Sequence, residues 1–232
     1  MAFAHSGNTY GSPRIHAELK TEGEQAGRHQ IARLMRHHGL VAKMTLRSRQ
    51  RASSRRTFYA DQARAGCCPE PQATNDIWVG DITQINTREK PFYLAAIMDR
   101  FSRRILGCAM SEARNAQLVC RALLQASMTR CSRTAELFHS DQGVEYASHG
   151  HRRLLRAYQM DRSVSRRGNC YDNAHMESFF HSLKTEMVYF EQFHSPEAGM
   201  RKIREYVRYY NEQRRHSALA YLSPIQFETA LA

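Results

Sequence analysis

Three carboxylates stand where their neighbours make a charge costly. Asp81 sits in the apolar run Trp78-Val79-Gly80-Asp81-Ile82, and an unpaired buried carboxylate there is strongly unfavourable. Asp141 closes Phe138-His139-Ser140-Asp141, at the carboxyl end of an expected strand, where open α/β sheets hold their ligands. Glu177 lies one turn into an expected helix, beside Met176, Phe179 and Phe180. Carboxylates pressed together in a half-dry pocket become tolerable when divalent cations neutralise them, and oxygen-only ligation suits Mg or Mn. Asp81, Asp141 and Glu177 are therefore the candidate catalytic and metal-binding residues of a two-ion site. Taken singly, each also has an ordinary reading: a strand-end residue, a turn former before Gly143, and a solvated helix residue.

Other chemistry is poorly supported. Cys67 and Cys68 are adjacent while Cys108, Cys120, Cys131 and Cys170 are scattered, so no CxxC pair suggests a zinc site or a redox dithiol, and structural thiols are expected. His149 and His151 lack nearby thiols to complete a zinc tetrahedron. His149-x-x-Arg152 followed by Tyr171 is too short a pattern to carry a tyrosine recombinase with a covalent phosphotyrosine. His16, His194 and His216 read as surface or packing residues, and the aromatics from Phe190 to Tyr210 as core.

The three acids must be positioned by the elements around them. Alternating apolar residues predict strands over Ile77–Ile85, Phe92–Phe101 and Arg103–Ser111, joined by short turns into a meander. Asn115–Arg130 carries Leu118, Val119, Ala122, Leu123 and Ala126 at helical spacing, and Ala135–His139 follows as a short buried strand. A strand after a helical crossover implies a parallel partner, hence a mixed, helix-flanked sheet. A helix near Tyr146–Tyr158, a strand near Met160–Ser165, and a helix capped by Asp172 or Asn173 and running to about Phe190 complete the layout.

Charge supplies the second line of inference. The 232 residues include 34 Lys+Arg and 22 Asp+Glu, a formal net charge of +12, with 42% hydrophobic and 24% charged residues. That composition supports a buried core and excludes a disordered chain. The apolar stretches are far short of a membrane span, and no secretory signal is visible, so a cytoplasmic location without membrane partners is expected. Between Gln25 and Ala60 there is no acidic residue against nine Lys/Arg, a block that repels itself unless a polyanion lies against it. Arg28, Arg33, Arg36, Arg47, Arg55 and Arg56 are the candidate DNA contacts there. Ser12 as cap and Pro13 at the first position begin a helix with Ile15 and Leu19 on one face. After a turn, a second helix starting at Arg28 buries Ile31, Leu34 and Met35 and stops at Gly39. The pattern fits a helix-turn-helix module, or any two-helix hairpin. The expected domains are this module over 1–42, a basic arm and linker over 43–75, and the main α/β domain with C-terminal helices over 76–232.

These residues also carry a resemblance. The strings are Trp78-x-x-Asp81-Ile82-Thr83, His139-Ser140-Asp141-x-Gly143-x-x-Tyr146, and Gly168-Asn169-Cys170-Tyr171-Asp172-Asn173-Ala174-x-x-Glu177-Ser178-Phe179-Phe180-x-x-Leu183-Lys184-x-Glu186. Tyr210-Asn211-x-x-Arg214-x-His216-Ser217-Ala218-Leu219-x-Tyr221-Leu222-Ser223-Pro224 adds to them, and thirty-five residues separate Asp141 from Glu177. The chain resembles, from about Tyr10 to Phe227, transposases of the insertion-sequence-three group with a D,D(35)E catalytic core similar to retroviral integrase. The resemblance implies a ribonuclease H-like five-stranded mixed sheet flanked by helices. It implies Mg- or Mn-dependent cleavage and strand transfer at the ends of an insertion sequence, with DNA ends and target as partners, self-assembly on DNA, and an upstream-frame fusion partner. Lys184 would contact a phosphate near the site, and the loop with Arg166 and Arg167 would help position DNA. Asn173, one turn before Glu177, is expected to orient it as a supporting residue. Glu145 stands where such transposases usually carry Gln, which adds a carboxylate and is expected to weaken DNA approach. The chain opens close to Tyr10-Gly11-Ser12-Pro13, where relatives have some tens of residues more, the mark of a misplaced start or a truncated copy. The rival readings are a catalytically silent DNA-binding regulator derived from a mobile element, and a plain metal-dependent nuclease.

Overall fold

In the computed structural model, which describes residues 1–43, 69–131, 134–165 and 173–231, alternation along the first strand decides the architecture. Ile77, Val79 and Ile85 enter one core cluster while Trp78 enters another, as the two-residue period of a strand requires. Strand β1 (Ile77–Ile85) pairs antiparallel with β2 (Phe92–Asp99), and β2 with β3 (Ile105–Ser111). The expected meander is present. After helix α4 (Ala116–Thr129), β4 (Leu137–Ser140) pairs parallel to β1, and after α5 (His149–Ala157), β5 (Asp161–Val164) pairs parallel to β4. The sheet order is β3-β2-β1-β4-β5, a mixed five-stranded sheet.

Each face is covered by helices. On one, Met176, Phe179, Phe180 and Leu183 of α6 (Ala174–Glu186) and Ile203, Tyr206 and Tyr210 of α7 (Pro196–Glu212) pack on Val79, Leu94, Ala96 and Met98. On the other, Leu118, Val119, Ala122, Leu123 and Ala126 of α4 join Trp78, Ile97, Phe138 and Leu155. Burial of large apolar side chains contributes roughly 1.5–3 kcal/mol each, which fixes both helix layers to the sheet. The last residues predicted for β2 and the first predicted for β3 instead form a turn, because Asp99 accepts from the Phe101 and Ser102 amides and Arg103 takes a φ of +62°. Helix α6 ends at Glu186 and a 3-10 turn, Val188–Phe190, carries the remainder of its predicted length.

The amino-terminal module has α1 (Ala2–His5), α2 (Ser12–Thr21) and α3 (Arg28–His37). Ser12 is the first helical residue of α2 and not its cap; Gly11 holds the cap position, without a side-chain hydrogen bond. Gly39, at φ +65°, stops α3 as expected. Ile15, Ile31 and Met35 form the small core with Ala2 and Tyr10. Leu34, predicted to be buried, is 47% exposed, because Ile31 and Met35 already fill the one face that α2 covers. A final helix, α8 (Pro224–Thr229), is closed by a reciprocal Ser223–Gln226 capping box.

Candidate active site

The sheet register brings Asp81 and Asp141 to the same edge. Gly80 is paired with Ser140 across the parallel β1–β4 ladder, so the next residue of each chain segment is an aspartate at the carboxyl end of β4. Alternation puts Asp81 on the face of Val79, over which α6 packs. Glu177 lies in the first turn of that helix, where the helix dipole favours a negative charge. Gly80 is required here: a Cβ at this residue would come within 2.7 Å of the Phe138 ring. A side chain there would push β1 away from β4 and part the two aspartates.

Burial, with Asp141 and Glu177 close by, pushes the Asp81 carboxyl up to about 7, against the opposing pull of the Ile82 amide and Arg114. Partial burial also raises Glu177. Each aspartate has one oxygen already engaged: Asp81 Oδ1 accepts from the Ile82 amide at 2.7 Å and Asp141 Oδ1 from the Gly143 amide at 2.9 Å. These short local bonds fix both carboxylates and leave Oδ2 of each for another partner. Among the described residues no three His, Cys, Asp or Glu side chains stand close enough together to hold a metal ion. The three acids thus share an electrostatic neighbourhood without forming a closed ligand cage.

Asn173 departs from its expected place. It occupies the cap position of α6 but makes no capping bond; its Nδ2 donates to the Gly80 carbonyl at 3.3 Å. It therefore ties the start of α6 to β1 beside Asp81, and Glu177 is not its partner. Lys184 is half-buried on α6, two turns beyond Glu177. Arg28, Arg33 and Arg36 are exposed on α3, remote in sequence from the acids. Arg47, Arg55, Arg56, Arg166 and Arg167 lie outside the described residues, as do Cys67, Cys68 and Cys170. Cys108, Cys120 and Cys131 are free thiols, and burial pushes Cys108 up to about 12.

Two features escaped the sequence reading. Arg114, in the turn before α4, bonds Glu145 through Nε to Oε1 at 2.6 Å, so the extra carboxylate beside Asp141 carries its own counter-charge. At the far end of α6, Glu186 is buried and accepts from Arg214 Nη2 at 2.6 Å and Nε at 2.9 Å, and from the Tyr206 hydroxyl at 2.8 Å. Arg14 of α2 reaches the same carboxylate at 3.5 Å, the Arg215 amide donates to the Tyr10 hydroxyl at 2.8 Å, and the Arg215 guanidinium pairs with Glu18. These bonds join the amino-terminal module to the core. The quoted motif residues Glu186 and Arg214 are therefore structural, and His216, buried beside Arg214 and Tyr210, is held far below its usual range by desolvation.

A mixed sheet with two aspartates at one edge and a glutamate on the covering helix defines an integrase-type core. Residues 71–170 and again 177–231 match the integrase core domain family, and residues 1–49 match an HTH-like domain. The insertion element IS600 uncharacterized 31 kDa protein of Shigella sonnei is 34% identical over 98% of this chain and 84% of its own length. The transposase InsF for insertion sequence IS3A of Escherichia coli K12 is 36% identical over 98% of this chain and 79% of its own. The chain belongs to the IS3-type insertion-sequence transposase family. In fold it is similar to the HTLV-2 integrase catalytic core domain, solved in complex with magnesium, with a TM-score of 0.54 at 15% identity over 68% of this chain and 99% of that one. A chain of the simian T-cell lymphotropic virus intasome aligns over 98% of this chain and 73% of its own, with a TM-score of 0.60 at 15% identity.

Proposed function

We propose that this transposase cuts and joins DNA at the ends of an insertion sequence by phosphoryl transfer, with Asp81, Asp141 and Glu177 as its catalytic acids and as the holders of two Mg or Mn ions. The donor set fits such ions: three carboxylates, all hard oxygen donors, two of them with a second oxygen not engaged by a local amide. Bound there, divalent cations would activate the attacking oxygen and stabilise the departing one. The single observation that carries the reading is the parallel β1–β4 register, which sets Asp81 and Asp141 each one residue past the paired Gly80 and Ser140 on adjacent strands; burial first, and the Asp141 and Glu177 charges after it, raise Asp81 to about 7, a state that a bound cation would relieve.

The chain's own residues then have distinct tasks. The β1–β4 register sets Asp81 and Asp141 on adjacent strands, and α6 carries Glu177 in its first turn over the face that it covers. In cleavage, water adds to the phosphorus and the 3′ oxygen leaves as a hydroxyl. In joining, that 3′-hydroxyl attacks a target phosphodiester and displaces its 3′ oxygen, so no protein–DNA covalent bond forms. Lys184 and the segment with Arg166 and Arg167 contact phosphates near the site. Arg28, Arg33, Arg36, Arg47, Arg55 and Arg56 hold the DNA further away. Residues 1–42 act as the DNA-binding module, 43–75 as basic arm and linker, and 76–232 as the catalytic core. The chain assembles with copies of itself on DNA in the bacterial cytoplasm, with an upstream-frame segment as a fusion partner. Among the described residues no helix is long and apolar enough to cross a membrane.

The deciding experiment incubates the purified chain with element-end oligonucleotides and Mg or Mn. Nicked and joined products are expected, and Asp81→Asn should abolish both while DNA binding persists. Binding without any cutting would make the chain a silent regulator, and nicks without joined products a plain nuclease.

A further inference from the structure

The turn between β3 and α4 carries Arg114, and the structure gives this residue two unlike sides. On one, its guanidinium grips Glu145 through two contacts, Nε to Oε1 at 2.6 Å and Nη2 to Oε2 at 3.5 Å. The Glu145 side chain is 7% exposed and that of Arg114 is 47% exposed. The carboxylate is thus fixed in the protein while the guanidinium stands out into solvent. On its other side Arg114 has N–H donors with no partner among the described residues, in a planar fork suited to phosphate oxygens.

Its position relative to the acids is set by Gly143. A Cβ built on Gly143 would lie 2.9 Å from Asp141 Oδ1 and 3.0 Å from Glu145 Oε2, so the two carboxylates flank this glycine closely. Arg114 is near enough to both Asp81 and Asp141 for their charges to act on it. Two aspartates at one sheet edge and a glutamate on the helix that covers it repel a polyanion, and an exposed cation clamped beside them offsets that repulsion locally.

We propose that Arg114, oriented by Glu145, binds a DNA phosphodiester immediately beside the one that reacts. This rests on the reading of Asp81, Asp141 and Glu177 as the reacting site. It also assigns a task to Glu145, whose charge is spent on holding Arg114.

The test measures binding of a fluorescent element-end duplex to the full chain in EDTA, between 50 and 200 mM NaCl, so that chemistry does not enter. Loss of one phosphate contact lowers the slope of log affinity against log salt by about 0.9. Arg114→Ala should therefore bind more weakly at 50 mM, with its deficit shrinking about three- to fourfold by 200 mM. Arg114→Lys should keep the wild-type slope, and Glu145→Gln should keep it too, since its amide oxygen can still accept from Arg114 Nε and the charge on Arg114 remains. Wild-type slope and affinity in Arg114→Ala would overturn the proposal. If that variant melts early, Arg114→Gln, which keeps donors and drops the charge, replaces it with the same expectation. A wild-type chain that binds but never nicks under Mg overturns the reading of the three acids separately, whatever the salt slopes.

Discussion

The side-chain amide of Asn173 donates to the carbonyl of Gly80 at 3.3 Å, across a sequence separation of 93 residues. That bond joins the first residue before the Glu177 helix to the residue before Asp81. Asn173→Ala removes it, with an expected loss of about 1 kcal/mol in stability. Nicking by the variant should slow about tenfold while DNA affinity stays unchanged. Denaturant melts beside single-turnover nicking assays check this; unaltered nicking would make the bond mere packing.

Asp81 predicts a pH dependence in the absence of divalent ions. Its carboxyl is raised from an ordinary value near 3.8 to about 7 in the folded chain, so the folded state prefers the protonated form. The stability it contributes is fully present below about pH 4 and is lost as pH rises through about 7. Asp81→Asn cannot ionise. In EDTA it should therefore gain on the wild type by about 4 kcal/mol between pH 4 and 8, at about 1.4 kcal/mol for each of about three units, read as a growing gap in urea midpoints. A gap that stays flat over this window would show that Asp81 ionises freely.

Glu186 and Arg214 are both nearly inaccessible, with side chains 0% and 3% exposed. Removing one partner of such a pair leaves a buried charge unmatched, at a typical loss of 3–5 kcal/mol. Arg214→Ala should thus unfold the chain at markedly lower urea, with DNA binding and nicking lost together. Full stability in this variant would place the pair outside the core energetics.

Arg28, Arg33 and Arg36 form no ion pair among the described residues and are exposed on α3. Their joint replacement by Ala should leave the melting temperature within a few degrees, since surface changes of this kind are small. The salt slope of DNA binding should fall by up to about 3, one contact for each residue. An unchanged slope would move the DNA path away from this helix.

What the sequence disclosed follows from the range of each interaction. The period of Ile77, Val79 and Ile85 and the helical spacing of Leu118, Ala122 and Ala126 are local, so the sheet and its α4 cover could be read directly. The position of Asp141 after a short strand was legible for the same reason. Asn173 with Gly80, Arg114 with Glu145 and Glu186 with Arg214 are pairings across loops and layers, and nothing in local periodicity marks them. Leu34 misled because an apolar residue at helical spacing does not reveal how wide a face the neighbouring helix covers.

Helix α6 has 13 residues, about 20 Å of rise at 1.5 Å each. One extremity presents Glu177; the other is bolted through Glu186 to Arg14 and Arg214. Under the proposed function it is a strut between the DNA-reading module and the cutting edge, as long as about six stacked base pairs at 3.4 Å each. Shortening or lengthening it by a turn would shift the registry of the two along the duplex without altering either.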